Sequence, residues 1–142
     1  MVIEKLKTIK QFSNIKEILI NKDLAMLGDS FVNFIYSLAK SCALEKFDGW
    51  KIPNKVLAQA LRDAELRYLV SHKASRHNLG DAVEALIVHA WLYQNISIEE
   101  LTTILYTQLK TGDFSDRKKE ERSAIQAFTS LLLEIRNKYK LK

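Results

Sequence analysis

Apolar positions along the chain recur every three or four residues, and strict alternation is confined to a short stretch near residue 3. That period predicts helices and no sheet. One proline and four glycines leave few breakers, so helices should be long and connections short. The spacing predicts a helix over 3–19, then a long one over 22–46 with Asn21 as its cap. FDGWKIPNK (47–55) reads as a turn, with Pro53 near the first position of a helix running to 62. Further helices are expected over 64–72 and over 79–94, the latter capped by Asn78. Ser97 with Glu100 forms a capping box that opens a helix to 110, which Gly112 stops. Ser115 is expected to cap a last helix to 139, with residues 125, 128, 132 and 135 as its buried face. The fold class is therefore all-α, with residues 1–142 as a single domain and no linker or low-complexity segment.

Two of these helices carry an unexpected feature. LAMLGDSFVNFIYSLA (24–39) is apolar almost all the way round, yet holds Asp29 and Asn33. LGDAVEALIVHAWL (79–92) repeats the opening Leu-Gly-Asp. In the first helix Ala25, Asp29, Asn33 and Ser37 are four apart and form one stripe. A helix apolar on its other faces is packed on most sides. In a small domain this places it between its own core and a second subunit. Gly28 costs roughly 1 kcal/mol relative to Ala inside a helix, and close approach of another backbone would offset that cost.

Asp81 and Glu84 are three apart and share a face. Two readings are open for them. Asp81 three residues after Asn78 can serve the helix dipole, with Glu84 as an exposed surface glutamate. Alternatively, Asp29, Asp81 and Glu84 come together as three carboxylates with Asn33 one turn away, and a hard divalent cation relieves their repulsion.

Composition narrows the partners. Hydrophobic residues make up 47% and charged residues 27%, which is ordinary for a globular chain. The start, MVIEKLKTIKQF, has no signal-peptide pattern, and the run 24–39 is too short and too polar to span a membrane. The lone cysteine, Cys42, reads as a small core residue, and its solitude fits a reducing cytoplasm. The net charge of +5 is concentrated at Lys5, Lys7 and Lys10, at HKASRH (72–77), and in the tail RNKYKLK. Each is either a solvated surface or a site for an acidic polymer. There is no zinc-type Cys/His spacing, no glycine-rich phosphate loop and no recognisable nucleophilic serine.

The two motifs together resemble the ribonuclease III family. LAMLGDSFVNFI is similar to its signature helix, of the form ERLEFLGDSVLN, and LGDAVEALIVHAWL to its second motif, of the form LADxFEALIGAxYLD. The resemblance implies a helical endonuclease domain that works as a homodimer and cuts double-stranded or structured RNA with Mg²⁺ or Mn²⁺. It implies catalytic roles for Asp29 and Glu84, metal ligation by Asp29, Asp81 and Glu84, and a supporting role for Asn33. The apolar surface around Gly28 would then be the subunit interface. This chain departs from the signature in having Ala25 and Lys22 where the family has glutamates. Small relatives of the mini-ribonuclease III type also have alanine at the first of these places and lack a separate double-stranded-RNA-binding domain. YLVSHKAS (68–75) is similar to a YVSAKA-like stretch in them. Asp81 is a difference, because their second motif often lacks it.

Lys22, His72, Lys73 and Arg76 are candidates to touch RNA phosphates, with His77 beside them; a solvated basic loop is the alternative. His89 lies five residues past Glu84 and points elsewhere, as a packed or interfacial histidine. Trp50, Trp91 and Tyr93 read as core or interface. The resemblance leaves one competing function, a catalytically inactive ribonuclease III-like protein that binds RNA or serves as a ribonucleoprotein subunit. Ala25 and Lys22 favour it, and the retained carboxylates favour the enzyme.

Overall fold

The computed structural model describes all 142 residues. Seven α-helices follow one another: α1 (Val2–Lys7), α2 (Ile15–Ile20), α3 (Lys22–Leu44), α4 (Asn54–Asp63), α5 (Arg76–Gln94), α6 (Ile98–Leu109) and α7 (Arg117–Lys138). A single 3₁₀ turn, Arg67–Leu69, lies between α4 and α5, and there is no strand. The all-α expectation holds. No helix is long and apolar enough to cross a membrane.

α5 is the central element. Twelve of its residues are buried, on every side of the helix, and it packs against α2, α3 and α4. α3 is long but buried on one side only. Leu27, Phe34 and Leu38, four to seven residues apart, remain exposed along its outer face beside Met26. The two helices meet where Gly28 faces the backbone of Glu84. A Cβ on Gly28 would lie 2.2 Å from the Glu84 carbonyl oxygen. The close approach expected at Gly28 is therefore made within this chain by α5. This corrects the assignment of Gly28 itself to a subunit interface.

Several helix boundaries differ from the spacing. The helix expected over 3–19 is two short ones. Thr8 closes the first, its hydroxyl donating to the Lys5 carbonyl (2.6 Å). Asn14 opens the second by accepting from the Glu17 amide (3.0 Å). The break lets Phe12 turn inward against the rings of His89 and Tyr93. The helix expected over 64–72 shrinks to the 3₁₀ turn because Glu65 is left-handed, with φ 60°. The cap of α5 is Ser75, which accepts from the Asn78 amide (3.1 Å). The Asn78 side chain is thereby free to face Lys22. Asp116 caps α7 in place of Ser115, since its carboxylate accepts from the Lys119 amide (2.9 Å). Cys42 is exposed, which overturns its reading as a core residue. The Ser97–Glu100 capping box and the Asn21 cap of α3 form as the residues imply.

The loop between α3 and α4 is fixed by the polar stripe of α3. Asn33 Oδ1 accepts from the Ile52 amide (2.7 Å) and Ser37 Oγ from the Trp50 amide (3.1 Å). The buried Lys40 ammonium bridges Asp48 of this loop (3.3 Å) and Glu120 of α7 (2.8 Å), and the Tyr36 hydroxyl donates to the same glutamate. Every charge in that cluster has a partner, as burial requires. The loop is therefore held at both ends, with Lys51 projecting from it beside α3.

Candidate active site

One cavity, of about 730 Å³, opens between the start of α3, the 51–54 loop and the first turns of α5. Asp29, Asp81 and Glu84 all line it, together with Lys22, Ala25, Lys51, Asn54 and His77. The helix period explains this. Ala25 and Asp29 are one turn apart on α3, Asp81 and Glu84 nearly one turn apart on α5, and the Gly28–Glu84 backbone contact sets the two pairs face to face.

The three carboxylates are treated unequally. Asp81 Oδ2 accepts from the Lys22 ammonium (2.8 Å) and lies 3.4 Å from His77 Nε2. Asp29 meets Lys51 at 3.3 Å and accepts from the Asn33 amide at 3.2 Å. Glu84 is only 5% exposed and has no cationic partner. Its neighbour is Asp29. Burial pushes the Glu84 carboxyl up to about 8, helped by its hydrogen bond to Asp29 and by the charges of Asp29 and Asp81. The same hydrogen bond holds Asp29 below its ordinary value, with Lys51 and Asn33 adding to it. The two carboxyls are thereby driven apart, Glu84 towards its protonated form and Asp29 towards its charged one.

A stability change with pH follows from the Glu84 proton. The unfolded chain releases it near the ordinary value of 4.5, whereas the folded chain holds it to about 8. Between those limits the unfolded state binds fewer protons, so stability falls as pH rises. With the cavity open to water, the expected loss is about 2 kcal/mol between about pH 5 and about pH 8 in chelator. Urea unfolding at the two pH values measures it, and equal midpoints would exclude a proton held at Glu84.

The donor set has the chemistry of a divalent-cation site. Three hard oxygen ligands line one cavity, and the buried Glu84 carboxyl has no ion-pair partner of its own; both features suit Mg²⁺ or Mn²⁺. Asp29 and Glu84 are the residues that would hold it. As the side chains stand, no three His, Cys, Asp or Glu groups converge on one point, because Asp81 is turned to Lys22 and His77. Asn33 acts on Asp29 and on the loop together.

The basic candidates separate. Lys22 and His77 reach the cavity, the latter with the Asn54 amide 3.1 Å from its Nδ1. His72 lines a different cavity with Lys16, Arg67 and Tyr68. Lys73 and Arg76 are exposed and line neither. Lys51 and Asn54 were not singled out by the sequence. They belong to no motif, and only the loop's attachment to Asn33 and Ser37 brings them in. His89 is a packed residue, hydrogen-bonded to the Tyr139 hydroxyl (2.6 Å) and stacked on Tyr93; burial lowers it to about 4. Trp50 leans on Tyr36 and Trp91 stacks on Phe31, so both edge the core.

Comparison with known proteins agrees with this geometry. No curated protein matches the chain. A family model described as Ribonuclease III matches residues 22–141. The matched span contains both carboxylate-bearing helices and the loop that closes the cavity, and the chain belongs to the ribonuclease III family.

Proposed function

We propose that the protein is a divalent-metal-dependent endoribonuclease that hydrolyses phosphodiester bonds in double-stranded or structured RNA, working as a homodimer in the cytoplasm. The observation that carries this reading is Glu84, buried without a cation and facing Asp29 across an open cavity. A binding-only surface gains nothing from such a pair, whereas a nuclease needs carboxylates whose charge is left for a cation. Asp29 and Glu84 would hold Mg²⁺ or Mn²⁺, with Asp81 beside them. A bound divalent cation supplies activation of a water for attack on phosphorus and charge stabilisation at the leaving oxygen. Asn33 orients Asp29 through its amide. Lys22, Lys51 and His77 edge the cavity and can meet the phosphates of a duplex, which is recognised chiefly through its shape, phosphates and 2′-hydroxyls. The exposed stripe of Leu27, Phe34 and Leu38 supports the dimer, because the rest of the chain leaves these large apolar side chains uncovered.

A second reading rests on Ala25 and the two lysines. Ala25 lines the cavity where a signature carboxylate would stand, and Lys22 and Lys51 already neutralise Asp81 and Asp29. An inactive, RNA-binding member of the family would look like this at the same positions, except at Glu84. Incubation of a long RNA duplex with the protein in Mg²⁺ and in Mn²⁺ distinguishes the two. Endonucleolytic cutting that stops in chelator is the expected result, from a species of twice the chain mass in sedimentation. Salt-sensitive duplex binding with no cutting in either metal would establish the second reading.

A further inference from the structure

We infer that Lys22 is a resident cation of this site: its ammonium stands in for a second divalent ion, so the cavity takes one metal and Lys22 itself meets the substrate phosphate. The inference deepens the nuclease reading and rests on it.

The geometry begins with the donors of one ammonium. Lys22 Nζ donates to Asn78 Oδ1 at 2.7 Å and to Asp81 Oδ2 at 2.8 Å. An ammonium has three donors, and Lys22 lines the cavity. Two donors hold the group in place and the third is left for a ligand. The anchor comes from α5, while the lysine itself opens α3, so the ammonium spans the mouth between the two carboxylate-bearing helices. Asn78 is available for this because Ser75 caps α5 in its stead.

Lys51 is different. Its contacts with Asp29 are longer, at 3.3 and 3.4 Å, and it has no second residue to anchor it, although both lysine side chains are largely exposed, Lys51 at 75% and Lys22 at 59%. Such a pair is weak and yields readily to a better cation. Asp29 therefore stays available, while Asp81 is held by a short, doubly anchored lysine.

Charge gives the count. Once a bound cation displaces the Glu84 proton, three carboxylates face two ammonium groups in the cavity, with one negative charge in excess. One divalent cation turns that to a single positive charge, which one phosphodiester neutralises. Two divalent cations would leave a threefold positive excess in one cavity, and Ala25 offers no further carboxylate to absorb it. Lys22 sits where it can supply the charge that a second ion would bring, as a compact ammonium on a flexible stem.

The test counts ions on the full-length chain, by calorimetric titration of Mn²⁺ at low salt and neutral pH. The parent is expected to take one Mn²⁺ per chain. Lys22→Glu is expected to take two. Lys22→Met, which keeps the stem and removes the charge, should bind its single Mn²⁺ about tenfold more tightly. In chelator, the same variant should lower the salt slope of RNA-duplex binding by about one, as loss of one phosphate contact does. A purely structural role for Lys22 would move neither the ion count nor that slope. Two Mn²⁺ on the parent, or one on Lys22→Glu with an unchanged slope for Lys22→Met, would overturn the inference and leave the nuclease reading standing. No Mn²⁺ on the parent would overturn both. If Lys22→Glu does not fold, the parent count and the Lys22→Met slope still decide.

Discussion

Asp29→Asn is expected to abolish RNA cutting while leaving the fold almost untouched. On the proposed reading Asp29 and Glu84 are the pair that holds the cation, and an amide in place of the carboxylate removes one ligand and its charge. Metal assistance supplies several kcal/mol of transition-state stabilisation. Loss of about 4 kcal/mol of it corresponds to roughly a thousandfold in rate. Stability should respond differently. Asn is nearly the same shape, can still accept from the Asn33 amide, and can donate to Glu84. The exposed Lys51 loses only a weak partner. With the neighbouring negative charge gone, Glu84 should titrate closer to its ordinary value, so the fall in stability between pH 5 and pH 8 should flatten. The melting temperature in chelator should shift by no more than about 3 °C, which is under 1 kcal/mol for a chain of this size. On the same reading Mn²⁺ should raise the melting temperature of the parent, by binding only its folded state, and this rise should vanish in the variant. Retained cutting within tenfold of the parent would remove Asp29 from the catalytic pair.

The sequence made some parts of this site legible and hid others, for separable reasons. Leu-Gly-Asp within an apolar helical run was informative because a mid-helix carboxylate has no bland explanation there. Both Asp29 and Glu84 lie where the helix period placed them, on facing helices around one cavity. The stripe of Asn33 and Ser37 was also visible as a stripe, but its use was not. Those side chains hold the backbone of the 48–52 loop, and a residue 19 positions away leaves no mark in a periodic pattern. Lys51 and Asn54 were missed for that reason. The spacing names the wrong cap at two places where candidates lie within three residues. Ser75 and Asn78 can each cap a helix, and so can Ser115 and Asp116; the choice is made by what else the side chain can reach. Asn78 reaches Lys22, 56 residues away.

Lys22 also shows how a departure from a family pattern gains meaning only in three dimensions. As a letter, a lysine in place of glutamate marks a damaged metal site. In the structure it has two hydrogen-bond partners, Asn78 and Asp81, and it neutralises Asp81. Asp29 and Glu84 face the same cavity with only the exposed Lys51 as an ion-pair partner, through Asp29.

Gly28→Ala should be the most destabilising single-methyl change in the protein, costing about 3 kcal/mol or more. The added Cβ would lie 2.2 Å from the Glu84 carbonyl oxygen, 2.5 Å from its carbon and 3.1 Å from the Glu84 Cβ. All three atoms belong to the middle of a helix that is packed on every side, so none can swing away. Relief needs α3 and α5 to separate by roughly 1 Å, which forfeits contacts along a shared interface. Overpacking of this kind costs about 1–3 kcal/mol even where flexible side chains absorb it, and here backbone must move. Alanine's better helix propensity offsets only about 1 kcal/mol. Gly80→Ala is the matched control. Its Cβ would meet Asn54 Oδ1 at 2.4 Å, the far end of a side chain that can rotate into the cavity. The two variants should therefore separate by several degrees in thermal unfolding, with Gly28→Ala lower by about 10 °C than the parent. Mn²⁺ should stabilise Gly80→Ala but not Gly28→Ala, because the shift that admits the methyl also moves Glu84 away from Asp29. Melting of Gly28→Ala within 3 °C of the parent would mean that the helices do not approach at this point, and with it the facing of the two carboxylates would be lost.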